Sequence, residues 1–475
     1  MKQILKTTIK SRPNIIFILM DDLGWRDLSI YGSPFYETPN LDKLAMQGMI
    51  FSDAYASCPV CSPTRASILT GKYPAGVGVT NFISHNGAHP SRGRLIDAPY
   101  IDHLPLSEKS LASALKDGGY QTWHIGKWHL GKDQYYPEHH GFDINIGGCY
   151  WGHPGNGYFS PWKIPNLPDP EPGIFLTDYL TDRAIELVKE RSDSPFFLNL
   201  WYYAVHTPIQ AKEELIEKYR KKTAALGIDQ TDPFVEGDFF PAEHKKHLRI
   251  KRRIIQSDPA YAALIEIVDS NIGRLMAVLD ETGLSDNTIV FFTSDNGGLS
   301  TAEGSPTCNA PLAEGKGWMY EGGTREPLFV RWPQRIKAGS LCSESVTSPD
   351  FYPTILEMAG LPFKPEQHID GESLMPLLAE SGSLKREAIY WHYPHYGNQG
   401  GTPGSSVRCG RYKLIEFFED QSLELYDLQT DIGEQKNIIS EKPETARYLG
   451  SLLKKWQEKC NACFPEPNPD FTGPV

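Results

Sequence analysis

The sequence predicts an α/β protein with a mostly parallel sheet covered by helices, followed by a smaller antiparallel sheet with one helix. Short, nearly continuous apolar runs alternate with amphipathic segments over the first two thirds of the chain. This alternation is typical of strands that are buried on both faces between helices. After about Pro376 the pattern changes to short strand-like runs and a final helical segment. With 475 residues the chain can form two domains, which we place at 1–376 and 377–475.

The strands of the main sheet are predicted from five apolar runs: 14-NIIFILMDD-22, 121-QTWHIGKWH-129, 196-FFLNLWYYAVH-206, 287-NTIVFFTSDNG-297 and 328-LFVRWP-333. Basic residues precede the first run, as they do in an export signal. Its apolar part, Ile15–Met20, is short, however, and ends at two aspartates, so we interpret it as a core strand. If the natural protein is exported, we expect its signal to be absent from this chain. A membrane span is not predicted, because no apolar run approaches the ~20 residues that a span requires.

Helices are predicted between these strands at 107–119, with Ser107 as the N-terminal cap, at 176–191 and at 258–283. Two Pro- and Gly-rich stretches, 152–173 and 397–406, are predicted to be long surface loops of the kind that often bind ligands. In the second domain, the runs 388–393, 405–418 and 424–428 predict the small sheet, and 441–459 predicts its helix. The final twelve residues are expected to be irregular.

Composition limits the classes of partner. The net charge of -12 disfavours long-range attraction to nucleic acid or to an anionic membrane, so an anionic substrate would need a locally positive pocket. Eight cysteines in 475 residues are too few for a disulfide framework. Two C-x-x-C pairs, Cys58/Cys61 and Cys460/Cys463, lie at opposite ends of the chain, which disfavours a shared zinc site. The second pair is consistent with either a disulfide or free thiols.

Polar residues follow several of the predicted strands. Asp21 and Asp22 follow the first strand, and Asp295 and Asn296 follow the fourth. The second strand ends with Lys127 and His129, and the third ends with His206. These residues add an amine and two imidazoles to the strand ends. Because ligands of an open α/β sheet bind outside the carboxyl ends of its strands, we expect these side chains to converge. The carboxylate and amide oxygens suit a hard divalent cation such as calcium or magnesium rather than zinc.

The stretch 58-CPVCSPTRASILTG-71 is consistent with three chemistries: a redox dithiol, half of a zinc site, or a nucleophile at the start of a helix. Its Cys61-Ser62-Pro63-Thr64-Arg65 segment is C-x-P-x-R, which resembles the signature of type I sulfatases. Further matching motifs are G-K-W-H-L-G at 126–131, H-T-P at 206–208, S-D-N-G at 294–297 and G-K-G-W-M-Y-E-G-G at 315–323. The resemblance covers nearly the whole chain. It implies an alkaline-phosphatase-like fold and oxidation of Cys61 to formylglycine by a maturation enzyme that reads the motif on the unfolded chain.

The resemblance also implies roles for individual residues. Asp21, Asp22, Asp295 and Asn296 are expected to hold calcium, with residue 61 as a further ligand. A hydrated formylglycine, a gem-diol, has one hydroxyl for attack and a second for release of sulfate, whereas a serine would be left as a stable sulfate ester. The remaining expected roles are Arg65 steadying the formylglycine, His129 as base, Lys127 and Lys316 contacting sulfate oxygens, and His206 as proton donor to the leaving oxygen.

For substrate recognition we expect 151-WGH-153, the run 390-YWHYPHYGN-398 and Arg408 to contribute, with His153, His392 and Arg408 as the candidate residues. Aromatic rings with His and Asn in loops suit a sugar. The alternative is that Trp391 and Tyr393 are alternating strand residues of the second sheet. The overall pattern resembles bacterial carbohydrate sulfatases and favours a galactose or N-acetylgalactosamine 4-sulfate. The other hypotheses are a phosphodiesterase or phosphonate monoester hydrolase of the same superfamily, a non-catalytic sugar-binding relic, and a redox protein. The sequence does not indicate an oligomeric state.

Overall fold

A computed structural model of the chain describes residues 12–84 and 93–473. Its strands fall into a central sheet, a second sheet and two short pairs. In chain order they are β1 (Asn14–Met20), β2 (Met49–Tyr55), β3 (Leu95–Ile96), β4 (Gln121–Gly126), β5 (Ile144–Ile146), β6 (Phe196–Trp201), β7 (Phe234–Phe239), β8 (Arg249–Arg253), β9 (Thr288–Ser294), β10 (Arg325–Arg331), β11 (Ser340–Cys342), β12 (Val346–Thr347), β13 (Ile389–Tyr393), β14 (Gly404–Cys409), β15 (Tyr412–Phe417), β16 (Leu423–Asp427) and β17 (Glu466–Pro467).

The α-helices are α1 (Pro39–Met46), α2 (Cys61–Thr70), α3 (Pro74–Val77), α4 (Leu111–Asp117), α5 (Leu176–Glu190), α6 (Glu213–Leu226), α7 (Pro259–Glu281), α8 (Glu321–Thr324), α9 (Phe351–Met358), α10 (Met375–Leu378) and α11 (Pro443–Lys459). Short 3-10 helices lie at Ser29–Tyr31, Asp133–Tyr135, Pro137–His140, Ile228–Gln230, Glu243–Lys245, Ser285–Asn287 and Ser348–Asp350. Among the described residues, no helix is both long enough and apolar enough to span a membrane.

The central sheet has the order β11-β2-β10-β9-β1-β6-β4-β5, and β12 also pairs with β2. The pairs that join β9, β1, β6, β4 and β5 are parallel. Only β10 runs against its neighbours, β9 and β2. This arrangement confirms the predicted, mostly parallel sheet.

The central strand β1 shows why the apolar runs are nearly continuous. Ile16, Ile18 and Met20 belong to the core on one face of the sheet, which α5 and α7 cover. Ile15, Phe17 and Leu19 belong to the core on the other face, which α2, α4 and α9 cover. Because successive side chains of a strand point to opposite faces, a sheet covered on both sides needs apolar residues at every position. The expected two-sided covering is therefore confirmed.

The second sheet is antiparallel in the order β13-β14-β15-β16. Helix α11 covers one face, where Leu449, Leu453 and Trp456 pack against Val407 and Leu414. The other face packs against the main domain through Trp391 and Tyr393, which share a buried cluster with Tyr55 and Cys58. The small antiparallel sheet with one helix is confirmed, and Trp391 and Tyr393 are alternating strand residues. The boundary between 376 and 377 stays a prediction.

Three local predictions were wrong. The helix expected to be capped by Ser107 begins at Leu111, and Ser110 is its cap, accepting a hydrogen bond from the Ser113 amide at 3.0 Å. The run 405–418 is two strands, β14 and β15, joined by a turn at Gly410. The tail expected to be irregular contains β17, which pairs with β3.

Several elements were not predicted at all. Strand β2 has partly exposed polar residues between its buried ones, which hides its pattern. Strands β7 and β8 pair only with each other and are largely exposed, so hydrophobic periodicity does not mark them. All eight cysteines are free thiols in this structure, including Cys460 and Cys463.

Candidate active site

Four buried polar residues meet at the carboxyl edge of the central sheet. Strands β1 and β9 are parallel neighbours in register, with Met20 opposite Ser294. The residues that follow them therefore lie side by side. The Asn296 amide donates to Asp22 Oδ1 at 2.8 Å, and the Asp22 backbone N–H donates to Asp295 Oδ1 at 3.2 Å. Asp21, Asp22, Asp295 and Asn296 are each no more than 1% exposed, so three carboxyl groups share one enclosed volume.

Each of these carboxylates has a buried cationic partner. Lys127 Nζ lies 2.8 and 2.9 Å from the two oxygens of Asp21. Lys316 Nζ lies 2.8 Å from Asp22 Oδ2. Buried charges are tolerated when they are paired in this way. Although burial disfavours ionisation, the ammonium of Lys316 holds the pKa of Asp22 below its usual value.

Arg65 is the cationic partner of Asp295. Its Nη2 and Nε atoms both donate to Asp295 Oδ2, at 2.7 and 2.9 Å, and its Nη1 donates to the Lys127 carbonyl at 3.0 Å. Arg65 is fully buried on α2, the helix that begins at Cys61. Because Arg65 lies four positions after Cys61, one turn of helix joins the cysteine to the carboxylate cluster.

Cys61 is the first residue of α2, preceded by the extended residue Val60. Its Sγ lies 3.2 Å from His129 Nδ1. The other ring nitrogen, Nε2, lies 2.7 Å from the Ile83 carbonyl oxygen, which can only accept a hydrogen bond. The proton of a neutral His129 is therefore on Nε2, and the lone pair on Nδ1 faces Cys61. Burial, and then Lys127, lower the pKa of His129 well below its usual value, so the ring is neutral.

The thiols of the first C-x-x-C pair do not have redox character. Burial raises the pKa of Cys58 and of Cys61. Redox-active C-x-x-C motifs instead have a lowered thiol pKa, because the thiolate is the reactive species. Cys58 also packs in the apolar cluster against the second sheet. These features disfavour the redox hypothesis.

A cavity of about 300 Å³ opens onto Cys61. The predicted site residues that line it are Cys61, His129, His153, His206 and Lys316. His206 Nδ1 donates to the Thr207 carbonyl at 2.8 Å, so its Nε2 lone pair faces Lys316 Nζ at 3.2 Å and Asp22 Oδ2 at 3.6 Å. Burial, and then the ammonium of Lys316, lower the pKa of His206 to about 3. Lys316 is therefore the protonated member of this pair.

Three predicted residues do not line the cavity in the expected way. Lys127 is fully buried on Asp21 and lies outside the cavity lining, although it was expected to contact sulfate. His392 is a 2% exposed residue of β13, with Nδ1 2.6 Å from Ser405 Oγ and Nε2 2.8 Å from the Cys463 carbonyl. The prediction that His392 lies in a substrate loop was wrong, because β13 directs its side chain toward the C-terminal tail.

Arg408 was expected to contribute to substrate recognition, and it lies in β14. Its Nη2 atom is 2.7 Å from Asp53 Oδ1, and its Nη1 atom donates to the Tyr55 hydroxyl. Arg408 lines a separate cavity of about 450 Å³ between β13, β14 and the main domain. This cavity is larger than the one at Cys61, but it shares no lining residue with it. The arginine therefore connects β14 to β2 and does not line the cavity at Cys61.

Sequence reasoning missed Glu303, from the loop after β9, and Gln399, from the loop after β13, which both line the cavity at Cys61. Asn398, the last residue of the predicted run 390–398, lines the same cavity. The Gly-rich composition of 397–406 did predict a binding loop, but it did not identify which residues face the cavity. For Glu303 the sequence offered no signal, because a single glutamate before a glycine is ordinary in a surface turn.

The residues at the sheet edge fit a hard cation. Ligand atoms of Asp21, Asp22 and His206 all lie within 4.8 Å of one another. The Asn296 Oδ1 atom is buried and has no hydrogen-bond partner among the described residues. A buried amide oxygen without a partner is costly, and a cation would satisfy it. The donor set of carboxylate and amide oxygens suits calcium or magnesium better than zinc.

Comparisons with known proteins agree with this geometry. The family model described as "Sulfatase" matches residues 13–361, and the model described as "N-sulphoglucosamine sulphohydrolase, C-terminal" matches residues 314–461. A "Sulfatase" of Formosa agariphila is 31% identical, over 96% of this chain and 91% of its own length. The N-acetylgalactosamine-6-sulfatase of Mus musculus is 31% identical, over 90% of this chain and 76% of its own. The solved structure of Ps i-CgsB in complex with k-i-k-neocarrahexaose has a TM-score of 0.75 at 28% identity, covering 94% of this chain and 93% of that one.

Proposed function

This chain belongs to the sulfatase family and is a sulfuric ester hydrolase, and we propose that it removes sulfate from a galactose or N-acetylgalactosamine unit of a sulfated carbohydrate. The observation that carries the proposal is the placement of Cys61 beside the lone pair of His129, in a cavity that Lys316 also lines. A carbohydrate substrate is supported by two similar proteins: the mouse relative is named for N-acetylgalactosamine, and Ps i-CgsB was solved with a neocarrahexaose.

The proposal also concerns which carbon of the sugar carries the sulfate ester. The sequence alone favours the 4-sulfate, whereas the mammalian relative is named for the 6-sulfate. A 6-sulfate is carried by a primary carbon outside the ring, so it reaches further from the sugar than a ring ester does. We therefore propose both esters of the galactose series as substrates to be compared, with the 6-sulfate favoured by the relative.

Cys61 has to be converted before the chain folds. In the folded protein Cys61 is 3% exposed and Arg65 is fully buried, so a second enzyme cannot bind the C-x-P-x-R motif there. The proposed maturation enzyme must therefore act on the unfolded chain. Formylglycine at position 61, hydrated by one water to a gem-diol, would supply two hydroxyls on one carbon, one to attack sulfur and one to release sulfate.

His129 is proposed as the base at position 61. Its Nδ1 lone pair points at the side chain of this residue, and the Ile83 carbonyl keeps the proton on Nε2. The ring is thus oriented to accept a proton from a hydroxyl at position 61 and to return it later. A base must lie within hydrogen-bond reach of the proton that it removes, which this 3.2 Å contact satisfies.

Lys316 and His206 are proposed to bind the sulfate and to protonate the leaving oxygen. Although burial opposes the charge, Asp22 and Glu303 raise the pKa of Lys316 above its usual value, so it remains an ammonium. His206 accepts from this ammonium through Nε2 in the present arrangement. To act as the donor that the sequence predicted, His206 must first receive a proton on Nε2, and Lys316, whose raised pKa keeps its own proton in place, is not the source of it.

Calcium, held by Asp21, Asp22, Asp295 and Asn296 with residue 61 as a further ligand, would stabilise the sulfate charge and lower the pKa of a hydroxyl at position 61. Lys127 and Arg65 are proposed to orient these ligands rather than to touch the substrate. Each is fully buried; Lys127 pairs with Asp21, and Arg65 pairs with Asp295 and lies 3.7 Å from Asp21. The three carboxylates in one enclosed site would otherwise repel one another, and such supporting contacts fix the ligands in place.

The proposal is tested by expressing the chain with a formylglycine-generating enzyme and measuring its hydrolysis of defined galactose and N-acetylgalactosamine 4- and 6-sulfates. Mass spectrometry of the peptide containing residue 61 establishes the converted fraction, and Cys61→Ala is the matched inactive control. Parallel assays of nitrophenyl sulfate and nitrophenyl phosphate compare the two ester classes. Faster hydrolysis of the phosphate would support the phosphohydrolase hypothesis, and binding without turnover by fully converted protein would support the sugar-binding relic.

A further inference from the structure

One part of the cavity at Cys61 is built from a carboxylate and two amides. Glu303 Oε1 lies 2.7 Å from Gln399 Nε2 and 3.4 Å from Asn398 Nδ2. Glu303 and the two amide residues line the same cavity as Cys61 and Lys316. Among the described lining residues, Glu303 is the one carboxylate. An enzyme whose substrate is an anionic ester thus has a negative group in its own cavity, which requires a reason.

The amide of Gln399 has a free acceptor. Gln399 is 4% exposed, and its Oε1 atom is buried without a hydrogen-bond partner among the described residues. The orientation of this amide is set by Glu303, because the reversed amide would place its oxygen against the carboxylate. Oε1 therefore stays directed away from Glu303. A buried acceptor of this kind is normally satisfied, so it points to a donor supplied by a ligand.

The surrounding backbone leaves room for this arrangement and holds it in place. Gly317 has a φ of +82°, and a Cβ there would lie 2.6 Å from Gln399 Oε1 and 3.0 Å from Gln399 Cβ, so a larger residue would displace the Gln399 side chain. Within the loop of Gln399, the Gly397 N–H donates to the Gly401 carbonyl at 2.8 Å. The amide that contacts Glu303 is thus supported by a closed turn rather than by a free chain end.

Glu303 itself has an unfavourable backbone conformation. Its φ is +54°, and Gly304 and Ser305 follow with φ values of +85° and +44°. A glutamate in the left-handed region is strained, whereas glycine or asparagine would adopt it more easily. Strain of this kind is found where a side chain is held in position for a function. Here it brings a carboxylate into the cavity.

From these contacts we infer that Glu303, Asn398 and Gln399 form a hydroxyl-recognition subsite, which selects sugar sulfates with a free hydroxyl beside the ester and rejects those with a second anion there. The inference rests on the proposed function and names its substrate class more narrowly. The Glu303 carboxylate and Gln399 Oε1 both accept hydrogen bonds, and a hydroxyl is a neutral donor that suits them. Lys316 would bind the sulfate, so the two charged groups of the cavity have separate tasks.

A substrate–enzyme double cycle tests this inference. The substrates are a galactose-series monosulfate that the wild type hydrolyses, its analogue with the neighbouring hydroxyl replaced by hydrogen, and its analogue with a second sulfate at that hydroxyl. The enzymes are the wild type, Glu303→Ala, Glu303→Gln and the control Glu214→Gln, which changes an exposed glutamate of α6. The thermal midpoint shows that each protein is folded, and mass spectrometry of the peptide containing residue 61 shows that it is matured.

We expect the wild type to prefer the hydroxyl-bearing ester over the deoxy ester by about ten- to a hundredfold in kcat/KM, as for a lost hydrogen bond to a charged group. In Glu303→Ala this preference should fall to less than about threefold, with Glu303→Gln between the two and Glu214→Gln like the wild type. Both Glu303 variants should also accept the disulfated analogue better than the wild type does, since the repelling charge is gone.

The outcomes distinguish a failure of the proposed subsite from a failure of the proposed function. If the wild type and Glu303→Ala show the same preference for the hydroxyl, and reject the disulfated analogue equally, the subsite is overturned while the sulfatase proposal stands. If matured wild type hydrolyses aryl sulfates but no sugar sulfate, the proposed substrate class fails and the subsite fails with it. A preference that collapses only in the Glu303 variants supports the inference.

Discussion

Replacing Lys316 by methionine removes the cavity's ammonium while keeping most of the volume of the side chain. Lys316 is 5% exposed, and its Nζ atom lies 2.8 Å from Asp22 and 3.2 Å from His206. We expect the substitution to lower kcat/KM for every sulfate ester, because the lost charge acts on the sulfate group that all substrates share. Lys316→Ala should behave similarly, with an added loss of packing.

The size of the effect follows from the position of the charge. Removing one buried, prearranged donor to a developing negative charge costs about 2.7–4 kcal/mol, or about 10²- to 10³-fold in rate. The substitution should also lower the stability of the metal-free protein. The buried Asp22 loses its cationic partner, which costs up to about 3–5 kcal/mol. Calcium should reduce this loss of stability, since a bound cation replaces the missing charge on Asp22.

The assay compares kcat/KM for nitrophenyl sulfate and for a sugar sulfate, together with the thermal midpoint with and without calcium. Lys454→Met, an exposed lysine of α11, is the control for removing a positive charge from a protein of net charge -12. Turnover of both esters within about threefold of the wild type would refute the reasoning. Lys316 would then be an ion-pair partner of Asp22 alone, and the proposed sulfate position would be wrong.

Cys61→Ala should abolish turnover, whereas Cys58→Ala should keep it, since Cys58 packs in an apolar cluster. An equal loss of turnover in the two variants, both folded, would contradict this prediction. Chelation should remove activity and lower the thermal midpoint, and calcium should restore both, while restoration by zinc alone would contradict a site of oxygen ligands. His153→Ala should lower kcat/KM for sugar sulfates more than for aryl sulfates, because His153 lines the cavity, whereas His392→Ala should lower the thermal midpoint with little change in selectivity. Burial raises the pKa of Glu434 to about 7, so the carboxyl binds its proton more tightly in the folded state. The stabilisation of the folded state by this tighter proton binding is fully present below about pH 4.5, and it is lost as the pH rises to about 7. Glu434→Gln should therefore reduce the fall in stability over that range by up to about 3 kcal/mol, measured as thermal midpoints, and an unchanged pH dependence would contradict the assignment.

Much of the catalytic edge could be predicted because its residues follow strands whose pattern is local. The runs before Asp21 and Asp295 are buried on both faces, so their composition identifies them as central strands. Parallel neighbours end at the same edge, and this rule brings the two aspartates together without knowledge of the register. The spacing from Cys61 to Arg65 likewise needs only one helical turn.

The proposed substrate-binding part of the cavity could not be predicted in the same way. Glu303 and Gln399 come from loops 96 residues apart, and neither loop has a periodic pattern that reveals where its side chains point. His392 and Arg408 were expected to face the substrate because polar residues in an aromatic run resemble a sugar site. The pleat of β13 and β14 instead directs them to Cys463 and Asp53.

By itself the sequence predicted the fold class, a cysteine at the start of a helix and the convergence of carboxylate and amide groups at one sheet edge, because these depend on periodicity, strand ends and a motif within a single helix. The tertiary structure alone decided which of the basic residues line the cavity. Lys127 and Lys316 both pair with an aspartate at the same sheet edge, yet Lys127 is enclosed behind Asp21 while Lys316 lines the cavity at Cys61. The difference arises from the packing of distant segments around each ammonium, and such long-range packing is not encoded in any short stretch of the chain.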